Sequence, residues 1–416
     1  MTEQEIESFF NGKNFDIRVH NNARWIDQKC TPDVVCIIAD CIDNYIEEHG
    51  ENSAFTSRDI WYSNYAIANV QAIFRKVDVD SSSAENEYDK FFQQPMKMLA
   101  YAGVLKETKH GRENVYIVLD NDLLKYIALR ERNALTFIIK YIEKVLVDSD
   151  LMRYFEVFFN EPNQDTYEMV KDKFCRFTIE NTKIGNKTSV NGLNTEAGVV
   201  ECRRIFIKVL NPLSFDRRTY GTERGRISKH AVTYDMLMYN RDNFRDIYAE
   251  KPKTISRKDY IAQQKIVVNE EYFRYMSAKA KRRLKAYNDI YRSGLSEMPG
   301  DMERATHIHH IFSASEYPEI SYYLENLIAL TPNQHLNMAH PNGKTLSINR
   351  SYQHDCLIVK TDIIKENIEN GVEKIYSFDD LIHVLIVGFS EESFCEIEEN
   401  DFNGVKTKIE LEYVCV

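Results

Sequence analysis

The sequence predicts an α+β, multidomain protein that is mostly helical. Its 416 residues are many for a single hydrophobic core, which favours two to four domains. Most of its periodic stretches repeat apolar residues at three- and four-residue intervals, as helices do. Two shorter segments, around residues 104–119 and 305–330, have the features of paired strands instead.

The first helix is predicted over residues 31–50. Thr31-Pro32 provides a helix start, and Gly50 provides a stop. Between them, apolar residues recur on one face of the predicted helix. This segment therefore predicts an amphipathic helix that contributes to the core of the first domain.

Two strands, Val104–Glu107 and Val115–Leu119, are predicted to form a hairpin with a basic turn. Helices followed by such a hairpin resemble a winged helix-turn-helix domain. That resemblance implies that Lys109 and Arg112 lie near DNA phosphates. The alternative is a helical scaffold with one exposed hairpin. Residues 1–150 hold 17 Lys and Arg against 25 Asp and Glu, so any DNA-facing patch there is small.

Residues 202–229 begin with a strand-like run and continue as a basic loop with several glycines. Arginine in such a loop suits bidentate contacts to guanine edges and to phosphates. The alternative is a solvated loop, the usual place of a charge run. A long polar loop is also predicted over residues 180–198. The predicted DNA contacts in the basic loop are Arg217, Arg218, Arg224, Arg226 and Lys229.

A capped amphipathic helix is predicted over residues 269–293, with Asn269 at its start and Gly294 after its end. An ordinary solvated helix is the alternative to a DNA-binding one. The apolar face comprises Tyr272, Met276, Ala280, Leu284, Tyr287 and Ile290. Three basic residues lie mostly off that face and are predicted to contact phosphates, namely Lys281, Arg282 and Arg283.

The charge of the chain is distributed unevenly. A formal net charge of −11 argues against DNA binding over the whole surface. Residues 201–300 nevertheless hold 22 Lys and Arg against 12 Asp and Glu, whereas residues 361–416 hold 4 Lys against 14 Asp and Glu. A nucleic-acid footprint is therefore predicted to be central, and the acidic end is predicted to be a packing cap or a partner surface.

The stretch Ala305–Pro341 contains five of the 11 histidines of the chain. The letters HIHHIF alternate apolar and polar residues and predict a strand. A second, more apolar strand is predicted over Asn326–Leu330. Thr331-Pro332 then provides a cap and a first helical residue. The segment therefore predicts a strand, a loop, a second strand and a short helix.

Such an arrangement suits hydrolysis of a phosphodiester with one metal ion. A divalent cation held by few protein ligands keeps positions open for substrate and polarises the phosphate. A separate neutral imidazole can remove a proton from the attacking water. The alternative for any single histidine of this group is a structural, hydrogen-bonded role and not metal binding. We interpret His307 as such a structural residue.

At these residues the sequence resembles the HNH (His-Asn-His, ββα-metal) nucleases, and among them the HNH type II restriction endonucleases. His310, Asn326 and His335 match the three signature positions, and His309 precedes the first of them. The resemblance implies that His310 is the general base and that His309 and His335 bind the metal. It also implies that Asn326 ties down the loop and orients the base. His340 is a further candidate ligand, although it lies about 140° from His335 around a regular helix.

The resemblance implies a metal-dependent, sequence-specific endonuclease that cuts double-stranded DNA and leaves 5′-phosphate and 3′-hydroxyl ends. One divalent ion per site is expected, with Mg²⁺ first and Mn²⁺ or Zn²⁺ as alternatives. Because one such motif cuts one strand, a homodimer is expected. Three alternatives remain open: a modification-dependent HNH endonuclease that reads a methylated base, a non-catalytic DNA-binding regulator with a structural metal, and a homing or repair nuclease.

The sequence divides into four predicted segments: a winged-helix-like recognition domain at 1–150, a central basic DNA-binding region at 151–295, the HNH module at 296–360 and an acidic helical cap at 361–416. No apolar run reaches the length of a membrane span. The acidic N-terminus lacks the pattern of a signal peptide. Eight scattered cysteines without a CxxC pair favour a reducing, cytoplasmic location.

Overall fold

The computed structural model is α+β and mostly helical, as predicted. It forms two compact units, residues 2–266 and residues 267–416. The predicted polar loop at 180–198 lies largely outside the described residues, and so does the predicted cap Asn269. The structure describes residues 1, 3–74, 76, 79–80, 84–182, 184, 195–239, 270–300, 303–340 and 348–414.

The described part of the first unit is built from helices and three short strand pairings. Its helices are α1 Glu3–Phe10, α2 Ile17–His20, α3 Pro32–His49, α4 Ser57–Trp61, α5 Asn64–Phe74, α6 Ala84–Tyr101, α7 Asn121–Leu129, α8 Glu131–Asp148, α9 Met152–Asn160, α10 Gln164–Asn181, α11 Thr195–Asp216 and α12 Tyr234–Leu237. Its strands are β1 Phe55–Thr56, β2 Leu105–His110, β3 Glu113–Val118, β4 Tyr220–Glu223 and β5 Arg226–Ala231.

Helix α3 lies at the centre of this unit, because apolar residues cover most of its length. It packs against α6, α7 and α8. The helix begins at Pro32. Proline has no N–H, and the N–H of the first helical residue has no partner within the helix, so no hydrogen bond is lost. It ends before Gly50, whose φ of +105° is a conformation that glycine adopts at little cost. The helix predicted over residues 31–50 is confirmed.

Strands β1, β2 and β3 form one antiparallel sheet in the order β1-β3-β2. The last two strands are the predicted hairpin, in which Lys109 is opposite Asn114. Gly111 closes its turn with a φ of +63°, and Lys109 and Arg112 are exposed at the tip. The hairpin is confirmed, and the winged-helix interpretation of this domain stays a prediction.

The strand predicted to begin at residue 202 was wrong, because this run belongs to helix α11. Its Ile, Phe and Val residues favour strands locally. They are spaced three and four apart, however, so a helix buries them as one stripe, and α11 packs against α8 and α10. The buried stripe comprises Cys202, Ile205, Phe206, Val209, Leu210 and Leu213.

The basic loop predicted after this run was also wrong, because β4 and β5 form an antiparallel hairpin there. Arg224 and Gly225 form its two-residue turn with φ values of +52° and +79°, the sign that a tight hairpin turn requires. Of the five predicted contacts, two precede β4, one is in the turn and two lie on β5, in the order Arg217, Arg218, Arg224, Arg226 and Lys229.

The second unit contains the predicted HNH stretch between long helices. Helix α14, Arg350–Asn370, runs through residue 360, where the predicted module was expected to end. None of the described helices of the chain combines the length and the apolar composition that a membrane span requires. The main elements of this unit are α13 Glu270–Tyr291, β6 His307–His310, β7 Leu327–Leu330, a π-helix over Gln334–Ala339, α14 Arg350–Asn370, α15 Phe378–Phe389 and α16 Phe402–Val414.

Helix α13 confirms the helix predicted over residues 269–293 and packs against both strands of the hairpin. It belongs to the second unit, although the sequence placed it in the central segment 151–295. Ile290, predicted to pack, is 71% exposed in the last turn. The other five residues of the predicted apolar face are buried, namely Tyr272, Met276, Ala280, Leu284 and Tyr287.

Candidate metal centre

Strand β6, which carries three histidines, pairs antiparallel with β7, as predicted. His309 lies opposite Ile328, and His310 lies opposite Leu327. Because successive residues of a strand point to opposite faces, the side chains of His309 and His310 leave the hairpin on different sides. The backbone therefore assigns these two neighbouring imidazoles to two different surroundings.

A capping box starts the helix that follows β7. The N–H of Gln334 donates to the Thr331 hydroxyl at 3.2 Å, and the N–H of Thr331 donates to the Gln334 side-chain oxygen at 3.0 Å. The helix then continues as a π-helix over Gln334–Ala339. Because π-helical hydrogen bonds join residues five apart, the turn is wider than in an α-helix. His335 and His340 are five apart, so this turn brings them together.

His309, His335 and His340 form a compact group. One ring nitrogen of each lies within 4.8 Å of the others. The ring centroid of His309 lies 5.2 Å from that of His335 and 4.9 Å from that of His340. The centroids of His335 and His340 are 4.9 Å apart. His309 and His340 are buried, whereas His335 is half-buried. Three nitrogens that converge at this spacing are a suitable ligand set for one metal ion.

The protonation of this group fits metal binding. Burial, with the charges of His335 and His340, lowers the pKa of His309 to about 2. Burial and the neighbouring His340 lower the pKa of His335 to about 4. Both rings are therefore neutral at pH 7, which is the form that coordinates a metal. Nδ1 of His335 is buried and has no hydrogen-bond partner among the described residues, so a bound cation would satisfy it.

His310 has a different environment. Its Nε2 lies 3.0 Å from the carbonyl oxygen of Ser321 and 3.0 Å from the hydroxyl oxygen of Ser277 on α13. A carbonyl oxygen can only accept, so Nε2 carries the proton and Nδ1 keeps its lone pair. Burial and the charge of Lys281 lower the pKa of His310 to about 4. At pH 7 the ring is therefore a neutral base with a fixed tautomer.

Asn326 is fully buried and holds the loop between the two strands. Its side-chain oxygen accepts from the N–H of Phe312 at 2.8 Å, and its side-chain nitrogen donates to the carbonyls of Phe312 at 3.0 Å and Ile320 at 3.2 Å. The next residue in the loop is Ser321, whose carbonyl holds His310. Asn326 therefore has the geometry of a positioning residue.

A buried ion pair that was not predicted from the sequence anchors β7. A carboxylate oxygen of Glu297 accepts from the N–H of Ala329 at 2.6 Å, and the N–H of Glu297 donates to the carbonyl of Ala329 at 2.9 Å. Lys360 donates to Glu297 at 3.1 Å and to the Tyr376 hydroxyl at 2.7 Å. Both charged side chains are 1% exposed. A lysine within the apolar run LIVKTDII was a usable signal, whereas no pattern pointed to Ser277.

The two half-buried arginines among the predicted DNA contacts take part in ion pairs, and the exposed Arg224 lies 3.9 Å from Glu223. Arg217 lies 2.9 Å from Glu143, and its guanidinium lies 4.7 Å from the ring of Phe159. Arg283 forms an ion pair with Glu373. Lys281 is half-buried. The other predicted contacts are exposed, namely Lys109, Arg112, Arg218, Arg224, Arg226, Lys229 and Arg282.

Comparisons of the chain with protein-family models, with curated proteins and with solved structures found no match. The fold and the site define an α+β protein with a candidate metal centre of three histidines in its second unit. The functional assignment therefore depends on the geometry of this centre and on the resemblance of its motif.

Proposed function

We propose that the protein is a metal-dependent DNA endonuclease of the HNH type. The observation that carries the proposal is the proximity of two kinds of imidazole within one module of strand, loop, strand and helix. His309, His335 and His340 converge as a ligand set, and His310 is a neutral base held by a backbone carbonyl. The order of strand, loop, strand and helix supports the same proposal.

The chemistry follows from these roles. His309, His335 and His340 would hold a divalent ion, which would polarise the phosphate and stabilise the leaving oxygen. Nδ1 of His310 accepts a proton from the attacking water, while Nε2 keeps its bond to Ser321. Attack of the water oxygen on phosphorus breaks the bond to the 3′ oxygen, which leaves as an alkoxide and takes a proton from solvent water. The products carry a 5′-phosphate and a 3′-hydroxyl.

The ligand set bears on the identity of the metal. Imidazole nitrogens suit Zn²⁺ and Ni²⁺, whereas Mg²⁺ prefers carboxylate, carbonyl and water oxygens. Among the described residues the group consists of three histidines and contains no carboxylate. We therefore propose that Zn²⁺ or another transition ion binds this group more tightly than Mg²⁺, and that Mg²⁺ and Mn²⁺ support activity by using substrate and water oxygens as additional ligands.

Double-stranded DNA is the proposed substrate, and the hairpin of β4 and β5 supports it. Asn211 holds this hairpin rigidly, because its side chain accepts from the N–H of Thr222 at 2.8 Å and donates to the carbonyl of Thr222 at 3.1 Å. Each phosphate that its cations neutralise increases the salt dependence of binding. Since one site cuts one strand, we propose that a homodimer makes the double-strand cut. The exposed cations in the hairpin and just before it are Arg218, Arg224, Arg226 and Lys229.

Cleavage of supercoiled plasmid DNA tests the proposal. The protein is incubated with Mg²⁺, Mn²⁺ or Zn²⁺, or with EDTA, on plasmids that are matched except for base methylation. We expect nicked and linear products with a divalent ion and none with EDTA. Sequencing of the product ends identifies the site, and a requirement for methylation identifies the modification-dependent type. Absence of cleavage with every ion on both plasmids contradicts the nuclease assignment.

The burial of His309 and His340 favours a second candidate function. A closed three-histidine group suits a structural metal in a non-catalytic DNA-binding regulator. That protein would bind DNA without cutting it, and it would lose its cooperative unfolding transition when the metal is removed. If EDTA abolishes cleavage while the circular dichroism spectrum stays unchanged, the nuclease is favoured over the regulator.

A further inference from the structure

Lys281 lies on helix α13 close to the residue that contacts His310. Ser277 is one turn before Lys281, and its hydroxyl oxygen lies 3.0 Å from Nε2 of His310. Ser277 and Lys281 are four residues apart, so they lie on the same side of α13, and α13 packs against β6 and β7. The helix therefore directs Lys281 toward the hairpin that carries the histidines.

Lys281 has no partner of opposite charge in the part of the second unit that the structure describes. By contrast, Arg283 on the same helix pairs with Glu373, and Nζ of Lys279 lies 5.4 Å from the ring of Tyr275. Burial lowers the pKa of Lys281 because the ammonium loses water without gaining a counterion. A half-buried cation without a counterion is costly unless an anionic ligand binds to it.

The surroundings of Lys281 indicate where that anion binds. Ser277, four residues before Lys281 on the same side of α13, contacts His310 at 3.0 Å, so Lys281 lies near the strand that carries His309 and His310. Among the described residues the converging group consists of three histidines and contains no carboxylate. With neutral histidines and a divalent cation, the charge of such a site is positive. An anion is therefore required to balance it, and a phosphate group supplies that charge.

We propose that Lys281 binds a non-bridging oxygen of the phosphate group on which the histidine centre acts. This inference rests on the proposed nuclease function and assigns a catalytic role to a residue outside the HNH motif. The ammonium group stabilises the negative charge that develops on the phosphate oxygens as water attacks. Arg282, the next residue, is exposed and is expected to affect only the general affinity for DNA.

The test compares Lys281→Met with Lys285→Met, since Lys285 is exposed one turn further along the same helix. Three quantities are measured for each metal-loaded protein: the affinity for inorganic phosphate by calorimetry, the melting temperature, and the single-turnover rate of plasmid cleavage. For Lys281→Met we expect about tenfold weaker phosphate binding and about 100-fold slower cleavage. Its melting temperature should rise, because an uncompensated charge is removed. Lys285→Met should match the wild type in all three.

The outcomes separate this inference from the proposed function. If wild-type protein cleaves DNA and Lys281→Met binds phosphate and cleaves like Lys285→Met, the role of Lys281 is overturned and the nuclease assignment stands. If no cleavage occurs but phosphate binding still depends on Lys281, the nuclease assignment fails and the anion site stands. If Lys281→Met melts at a lower temperature and loses bound metal, or if the wild type binds no phosphate, the inference is overturned.

Discussion

The rings of His335 and His340 lie with centroids 4.9 Å apart although the two residues are five positions apart in the chain. A regular α-helix would separate them by about 140° around its axis. The π-helix over Gln334–Ala339 removes that separation and completes the group with His309. Single π-helical turns are rare and frequently occur at functional sites. The irregular backbone at this position is therefore the feature on which the candidate metal centre depends.

Replacement of His340 by Ala should weaken metal binding by about 100-fold or more, because one of three converging nitrogens is lost. Titration with Co²⁺, followed by the visible absorption of the bound ion, measures the affinity. His354→Ala is the matched control, since His354 lies on helix α14 and contacts Asp355 and Tyr413 instead. Equal affinities for the two variants would show that His340 is not a ligand.

Asn326→Ala should lower the free energy of unfolding by about 2–4 kcal/mol, because it leaves the buried N–H of Phe312 without its acceptor. Hydrogen exchange over residues 305–330 measures the opening of the loop. The control is Asn333→Ala, which removes only an exposed bond to Asn337. Its effect should stay within about 0.5 kcal/mol. Unchanged exchange in Asn326→Ala would contradict the positioning role.

Lys360→Met should destabilise the hairpin by about 3–5 kcal/mol, because it leaves the Glu297 carboxylate buried without its cation. The double variant Glu297→Gln, Lys360→Met should be less destabilised than Lys360→Met alone, since the uncompensated charge is also removed. Exchange of the Ala329 amide, which donates to Glu297, measures both effects. If the double variant is the less stable of the two, the ion pair has been interpreted incorrectly.

Without metal, the free energy of unfolding should fall between about pH 6.5 and pH 4. The folded pKa values of His310 and His335 are about 4, below the ordinary value of 6.5. In that window the unfolded chain binds protons that the folded chain excludes, so stability is present above it and is lost as the pH falls. Chemical denaturation followed by circular dichroism measures the slope.

His309→Gln provides the control for that pH dependence. This variant lacks the histidine with the lowest pKa in the folded chain, about 2. The unfolded chain of the variant therefore binds one proton fewer at acidic pH, and the difference in bound protons between the unfolded and folded chains is smaller. The stability of this variant should depend less on pH over the same window. Identical slopes for the variant and the wild type would show that His309 is not buried in its neutral form.

The sequence predicted the elements that carry a strong local signal. Helix α3 has a proline start, a glycine stop and an apolar face, and it was predicted nearly to the residue. Strand β6 was predicted from its alternation, β7 from its apolar run, and the helix start at Thr331 from its cap. In each case the local preference and the tertiary structure agree.

Other features depend on contacts between residues that are distant in the chain. The segment after residue 202 is rich in strand-forming residues, but the burial of a helical stripe against α8 and α10 determines its structure. No sequence pattern indicated a role for Glu297, yet it anchors β7 through Ala329 and Lys360. The π-helix that places His340 has no sequence signature, because a regular helix is the default.

The measurement that tests the central claim most directly compares wild-type protein with His310→Ala at equal metal content. Metal bound per chain is determined first, and single-turnover cleavage of supercoiled plasmid is then measured on the same samples. Since His310 is assigned as the base and not as a ligand, we expect equal metal content and a cleavage rate that is lower by a factor on the order of 10³. Equal cleavage rates at equal metal content would contradict the account.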